Sequence, residues 1–221
     1  MSTDGSDRAI TPGQIPKDKS ALRRDLLAQR QGLTPAQWRQ KSDRLCEHLR
    51  QSNLLPENGT VLAYFSTKQE PDLSPLFGGT PAIPLQQASR QETKTSAVRW
   101  GFPRCIGRHL VWHQWSPESA LPRQNNRYGI AEPHPDAPQI TTCDVDLLLV
   151  PAVACDRGGY RLGYGGGFYD RLLAKPDWVA VPTVGILFAE ALLPAVPREP
   201  WDQPLKMICT DAGLLHRCGA G

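Results

Sequence analysis

Val145-Asp146-Leu147-Leu148-Leu149-Val150, closed by Pro151, is the stretch on which the fold turns. A half-exposed strand would alternate apolar and polar residues, and a helix would space its apolar positions by three and four. A short, nearly continuous apolar run ended by proline is instead expected of a central strand buried on both faces. Val184 to Phe188 repeats that texture around Gly185, and Met207 to Cys209 is a shorter piece of the same kind. Upstream, Val61 to Phe65 is apolar and β-prone, and Ala82-Ile83 is clipped by Pro81 and Pro84. His109 to Trp115 mixes Leu, Val and Trp with imperfect alternation. A helix is predicted from about Phe168 to Ala174, between two of these strands. Strands alternating with helices give an α/β layered fold with a largely parallel sheet.

Two helices are predicted ahead of the strands. The first starts near Asp18 or Ser20, places Leu22, Leu26 and Leu33 on one face, and closes at Gly32. The second opens on Thr34-Pro35-Ala36-Gln37, a capping box with proline at the first helical position. Trp38, Leu45 and Leu49 form its apolar face, so the chain is expected to open as a helical hairpin. Residues 1–17 are polar, with Pro12, Gly13 and Pro16, and read as a flexible tail. Residues 18–221 then form one domain.

The 25 basic and 22 acidic residues leave a net charge of +3. That surplus does not single out a nucleic-acid binder, though it leaves room for a local basic pocket. With 21 prolines and 19 glycines, long loops are expected. No stretch reaches the roughly 18 apolar residues of a membrane helix; the nearest, Val179 to Val196, is broken by Pro182, Thr183, Glu190 and Pro194. The start of the chain has no apolar signal core and carries Asp4 and Asp7. Cysteines 46, 105, 143, 155, 209 and 218 form no CxxC pair, as expected of reduced thiols in the cytoplasm.

Arg161-Leu162-Gly163-Tyr164-Gly165-Gly166-Gly167-Phe168-Tyr169-Asp170-Arg171 follows the buried strand after a ten-residue loop and leads into a helix. Glycines at 163, 165, 166 and 167 leave backbone N–H groups uncovered and allow positive φ. With a helix N-terminus directly behind, such a loop suits a polyphosphate. Arg161 and Arg171 supply cations, and Asp170 an oxygen ligand for a magnesium ion held between phosphates. A tight surface turn is the alternative. The segment lacks the GK[ST] of a P-loop and the later acidic residue of a dinucleotide fingerprint.

The run VPAVACDRGGYRLGYGGGFYDRLL, residues 150–173, strongly resembles the signature of the 5-formyltetrahydrofolate cyclo-ligase family, also called methenyltetrahydrofolate synthetases. Lys19-Ser20-Ala21-Leu22-Arg23, Tyr128-Gly129-Ile130-Ala131-Glu132-Pro133, Val196-Pro197 and Asp202 extend the resemblance over about residues 18–211. It implies a three-layer α/β/α sandwich of the NagB/RpiA/CoA-transferase type with a mainly parallel sheet. It also implies that ATP and Mg²⁺ drive closure of 5-formyltetrahydrofolate to 5,10-methenyltetrahydrofolate, releasing ADP and phosphate. The formyl oxygen would be phosphorylated to make it a leaving group, a task of alignment and charge neutralisation.

By the same resemblance Lys19, Arg23 and the loop from Arg161 through Leu162, Gly163, Tyr164, Gly165, Gly166, Gly167 and Phe168 to Tyr169 bind ATP. Arg161 and Tyr169 stand closest to the chemistry. Phe65, Glu70, Tyr128 and the segment from Tyr164 to Phe168 meet the folate; a carboxylate suits the donor face of a pterin. Asp170 and Asp202 hold the metal, although Asp202 also reads as a turn former. Some relatives carry Lys at the position of Gly166, a role that Arg161, Lys19 or Arg171 must fill here; relatives often carry a second Asp shortly after Asp202, where this chain has Leu205-Lys206, so the C-terminal match is weaker. Histidines 109 and 113 sit in a strand pattern and make a zinc site improbable. A small-molecule enzyme acting as a monomer, without nucleic-acid or membrane partners, is expected. Two other classes compete: an RNA binder gripping through Arg99, Trp100, Arg104, Arg108, Trp112 and Trp115, and a sugar-phosphate isomerase on the same fold.

Overall fold

The computed structural model describes residues 18–77, 97–127 and 129–218. Its helices are α1 (Lys19–Gln31), α2 (Pro35–Gln51), α3 (Ser74–Phe77) and α4 (Phe168–Leu173). The first strands are β1 (Asn58–Leu62), β2 (Ala97–Ile106), β3 (His109–Gln114), β4 (Gln124–Asn125), β5 (Ala131–Glu132), β6 (Gln139–Ile140) and β7 (Leu147–Pro151). Then come β8 (Ala154–Asp156), β9 (Arg161–Leu162), β10 (Thr183–Ile186), β11 (Leu192–Leu193), β12 (Met207–Thr210) and β13 (Gly213–His216). The main sheet runs β13-β12-β10-β7-β1-β2-β3-β6. Its inner strands from β12 to β2 are parallel, and β13, β3 and β6 pair antiparallel at the two edges.

β7 explains the apolar run. Leu147 and Leu149 join Val61, Val184 and Ile186 in a core with Leu45 and Leu49 of α2. Leu148 and Val150 point the other way, to Leu172 and Leu173 of α4 and to Trp178. Every position is therefore buried, and truncating one such leucine to alanine costs about 2–5 kcal/mol. The α/β/α layering follows directly.

The predicted helical hairpin does not form. Both helices start as expected: Asp18 caps α1 by accepting from the Ser20 amide at 2.8 Å, and Thr34 and Gln37 complete their capping box on α2. The apolar faces diverge, however. α1 buries Leu22 and Leu26 against Val153, Ala154, Leu162 and Leu193, over a small sheet of order β11-β8-β9. The predicted ten-residue loop thus contains β8, and the glycine segment opens on β9. β2 was not foreseen, since Pro103 and Gly101 interrupt it. β1 pairs only as far as Gly101, so Pro103 needs no partner on that side. A Cβ on Gly101 would come within 2.5 Å of Leu62 Cδ2, which is why glycine stands there. The Ala82-Ile83 strand and the 1–17 tail lie outside the described residues.

Among the described residues no helix is long and apolar enough to cross a membrane. All six cysteines are free thiols. β1 has β2 on one side and β7 on the other, so the chain reverses its direction of travel across the sheet there. Crevices at such switch points open at the carboxyl ends of the strands. The segments leaving those ends are residues 63–70 and 152–167.

Candidate active site

The segment after β1 is strained. Lys68 (φ 49°) and Gln69 (φ 56°) are both left-handed without being glycine, at a cost on the order of 1 kcal/mol or more each. Arg30, in the last turn of α1, holds them by donating from Nε to the Lys68 carbonyl at 3.1 Å. The turn drives Glu70 inward until it is 2% exposed. Its carboxylate accepts from the Thr67 amide at 3.0 Å, and its carbonyl accepts from Trp38 Nε1 at 2.9 Å. Burial pushes the Glu70 carboxyl up, and hydrogen bonds from the Tyr164 hydroxyl and Thr67, with the charges of Arg30 and Lys68, hold it back.

The glycine loop meets this segment through Tyr164. Its hydroxyl accepts from Arg30 Nη2 and bonds Glu70, and the Lys68 ammonium and Arg30 guanidinium lie 5.5 and 5.7 Å from its ring centre. Burial and the Glu70 charge push the phenol up, so it is a protonated donor. The residues predicted for ATP and for folate therefore touch. Gly165 (φ 95°) and Gly167 (φ 62°) have the left-handed backbone expected of them, and Gly167 caps α4. Leu162 is different: its side chain is 2% exposed in the core beneath α1, leaving only its backbone for a ligand.

Lys19 and Arg23, four residues apart, share one face of α1. Arg23 Nε donates to the Gly163 carbonyl at 2.6 Å, and Lys19 Nζ lies 2.8 Å from Asp202 Oδ2. Arg161, with a side chain 3% exposed, donates to Asp170 Oδ1 at 2.7 Å and to the Gln203 carbonyl at 3.2 Å. One guanidinium thereby joins the neighbourhoods of both predicted metal ligands. Asp202 also accepts from the Glu199 amide at 2.8 Å, so it is a turn former as well. Arg171 is spent locally, on the carbonyls of Gly166 and Arg108, each at 2.9 Å, with Phe168 beneath it. Tyr169 lies 5.8 Å from the Arg161 guanidinium; burial and the Glu70 charge push its phenol up, making it a donor and not a base.

Among the described residues no three His, Cys, Asp or Glu side chains cluster as a metal cage. Mg²⁺ bound with phosphates needs only one or two protein carboxylates. Asp170 and Asp202 fit that donor set, each currently facing a cation.

Phe65 opens onto a cleft of about 630 Å³ shared with Trp38, Lys68, Phe77, Trp115 and Arg123. It stacks on Phe102 at 4.1 Å, and Trp115 meets it edge-on at 5.0 Å. Tyr128 lies outside the described residues. Arg30, Trp38, Lys68 and Arg123 escaped the sequence reading. Trp38 alone carries a signal, its place beside the capping box on the apolar face of α2, which equally suits a core residue. The strip proposed for RNA is dismantled: Trp100 and Trp112 are buried, Arg99 donates to Thr60 Oγ1 at 2.9 Å and Arg104 to the Pro133 carbonyl.

A family model described as the 5-formyltetrahydrofolate cyclo-ligase family matches residues 15–211. The chain belongs to the 5-formyltetrahydrofolate cyclo-ligase family. It is 30% identical over 202 residues to 5-formyltetrahydrofolate cyclo-ligase of Mycolicibacterium smegmatis, spanning 88% of this chain and 94% of that one. To the cyclo-ligase of Escherichia coli K12 it is 37% identical over 103 residues, 46% of this chain and 56% of that one. Among solved structures, Aquifex aeolicus 5,10-methenyltetrahydrofolate synthetase superposes with a TM-score of 0.69 at 30% identity, covering 92% and 95% of the two chains. The Mycoplasma pneumoniae synthetase, at 19% identity and a TM-score of 0.62, shares the fold over 88% and 99%. The cyclo-ligase match contains both loops and every cation described above.

Proposed function

We propose that the protein cyclises 5-formyltetrahydrofolate to 5,10-methenyltetrahydrofolate at the expense of ATP. The observation that carries this reading is the Tyr164 contact, which joins the glycine loop to the Glu70 segment. A γ-phosphoryl group passing to a formyl oxygen needs two ligand sites within one bond of each other.

In the proposed reaction the formyl oxygen attacks the γ-phosphorus and ADP leaves. Folate nitrogen 10 then adds to the activated carbon, the C–O bond breaks, phosphate departs, and the nitrogen's proton goes to solvent. Glu70 accepts from pterin N–H groups, and the aromatic wall at Phe65 packs the ring. Amides of the glycine loop, with Lys19, Arg23 and Arg161, balance the phosphate charge; such preorganised donors are worth about 10²–10³ in rate each. Tyr169, held protonated, donates to an oxygen of the transferring group. Asp170 and Asp202 would hold Mg²⁺, which when bound neutralises phosphate charge.

The test is direct. Purified protein with 5-formyltetrahydrofolate and MgATP should raise the near-UV absorbance of the methenyl product, and ADP release should require the folate. Isomerase activity without ATP, or no absorbance change, would sink the reading.

A further inference from the structure

Most arginines around the cleft have oxygen partners: Arg39 binds Asp72 at 2.7 Å, Arg30 the Lys68 carbonyl and Arg23 the Gly163 carbonyl. Arg123 is the exception. Its guanidinium carbon lies 4.9 Å from the Phe65 ring centre and 5.1 Å from that of Trp115. Among the described residues its N–H groups meet no oxygen acceptor. Lys68, across the same cleft, likewise rests its ammonium on the Tyr164 ring. Asp72, the acidic residue of the lining, is already held by Arg39. The cleft thus has aromatic walls, one cation, Arg123, with no oxygen partner among the described residues, and a second, Lys68, whose charge also acts on the buried Glu70.

A guanidinium parked on aromatic faces keeps its in-plane donors free and pre-oriented, the geometry suited to gripping a carboxylate. We infer that Arg123, assisted by Lys68, is a specificity-determining residue that receives the glutamate carboxylates of the folate while the ring system packs against the Phe65 wall. This rests on the proposed function for the identity of the ligand. It goes beyond it in assigning the anionic end of the substrate to a named cation and in giving the cleft a preference for tailed over neutral ligands.

Isothermal titration without ATP tests it, using 5-formyltetrahydrofolate and its analogue with both glutamate carboxylates converted to amides. Arg123→Ala should weaken binding of the acid about tenfold, or about 1.4 kcal/mol, and of the bis-amide less than twofold. Arg123→Lys should lose only part of the preference, because a point charge replaces a planar fork. Lys68→Ala should shift the acid in the same direction by a smaller factor. Equal losses for both ligands would make Arg123 a ring clamp and overturn the assignment, as would no loss for either. Because ATP is absent, a chain that binds the acid selectively but forms no methenyl product refutes the proposed reaction and leaves this inference standing.

Discussion

Tyr164→Phe is the substitution that most directly probes the junction of the two loops. Its hydroxyl is shared between Arg30 and Glu70, and Glu70 is 2% exposed. Without it, the buried carboxylate keeps the Thr67 amide but loses a hydrogen bond to a charged group, worth about 1.5–3 kcal/mol. At about 2–4 °C per kcal/mol for a chain of this size, the melting temperature should fall by about 3–12 °C near neutral pH. In a Glu70→Gln background the same hydroxyl serves a neutral amide, and its removal should cost only about 0.5–1.5 kcal/mol. The double-mutant cycle should therefore show a coupling of about 1 kcal/mol, outside the 0.3–0.5 kcal/mol within which independent sites add. In the activity assay, Glu70→Gln should raise the KM for folate far more than that for ATP. Tyr164→Phe should raise both, because it loosens the glycine loop as well. Additive melting shifts, or a Tyr164→Phe effect confined to ATP, would refute the claim that one contact ties the sites together.

Three further outcomes follow from the same geometry. Gly167→Val places a β-branched residue at φ 62° with its Cβ 2.8 Å from Arg171 Nη1; circular dichroism should show a folded chain about 1–3 kcal/mol less stable, with ATP affinity hit before folate affinity. EDTA should abolish turnover, reversibly with Mg²⁺, without lowering the apo melting temperature, whereas Asp170→Asn should lower both because it strips Arg161 of its partner; undiminished turnover in EDTA would remove the metal role. Burial raises the Glu70 pKa above its ordinary value, so the folded state holds the extra proton between the unfolded and folded pKa values. The stability contributed by this group is fully present below the unfolded pKa and is lost as pH rises through the folded one. Folate binding, which needs the carboxylate, should strengthen over that same rise, and titrations from about pH 4 to 7 should lose this limb in Glu70→Gln.

What could be read from the sequence, and what could not, divides along a physical line. β7 was legible because a strand buried on both faces must be apolar at each position, and α2 because a capping box is local chemistry. The positive φ at Gly165 and Gly167 was legible because only glycine tolerates it cheaply. The partner of α1 was not, since Leu22 and Leu26 fit any apolar surface and the choice of the β8–β9 sheet over α2 is a tertiary one. β2 stayed hidden because Gly101 and Pro103 are set by neighbours that the linear pattern does not display. Lys68 and Gln69 carry no left-handed signature at all; their strain is held by Arg30, nearly forty positions earlier. The predicted phosphate and metal groups show the same limit more sharply. The glycine segment offers Arg161 and Asp170, and the family resemblance adds Lys19 and Asp202, yet only the fold shows them pairing with one another. In the proposed reaction an incoming MgATP would exchange charge partners within this network, with Lys19 and Arg161 available to phosphate and Asp170 and Asp202 to the metal. Each swap would replace one ion pair by another, so the net electrostatic gain would be small and binding strength would fall to the glycine amides. That is why the sharpest loss of ATP affinity is expected at Gly167 and not at any single charged residue.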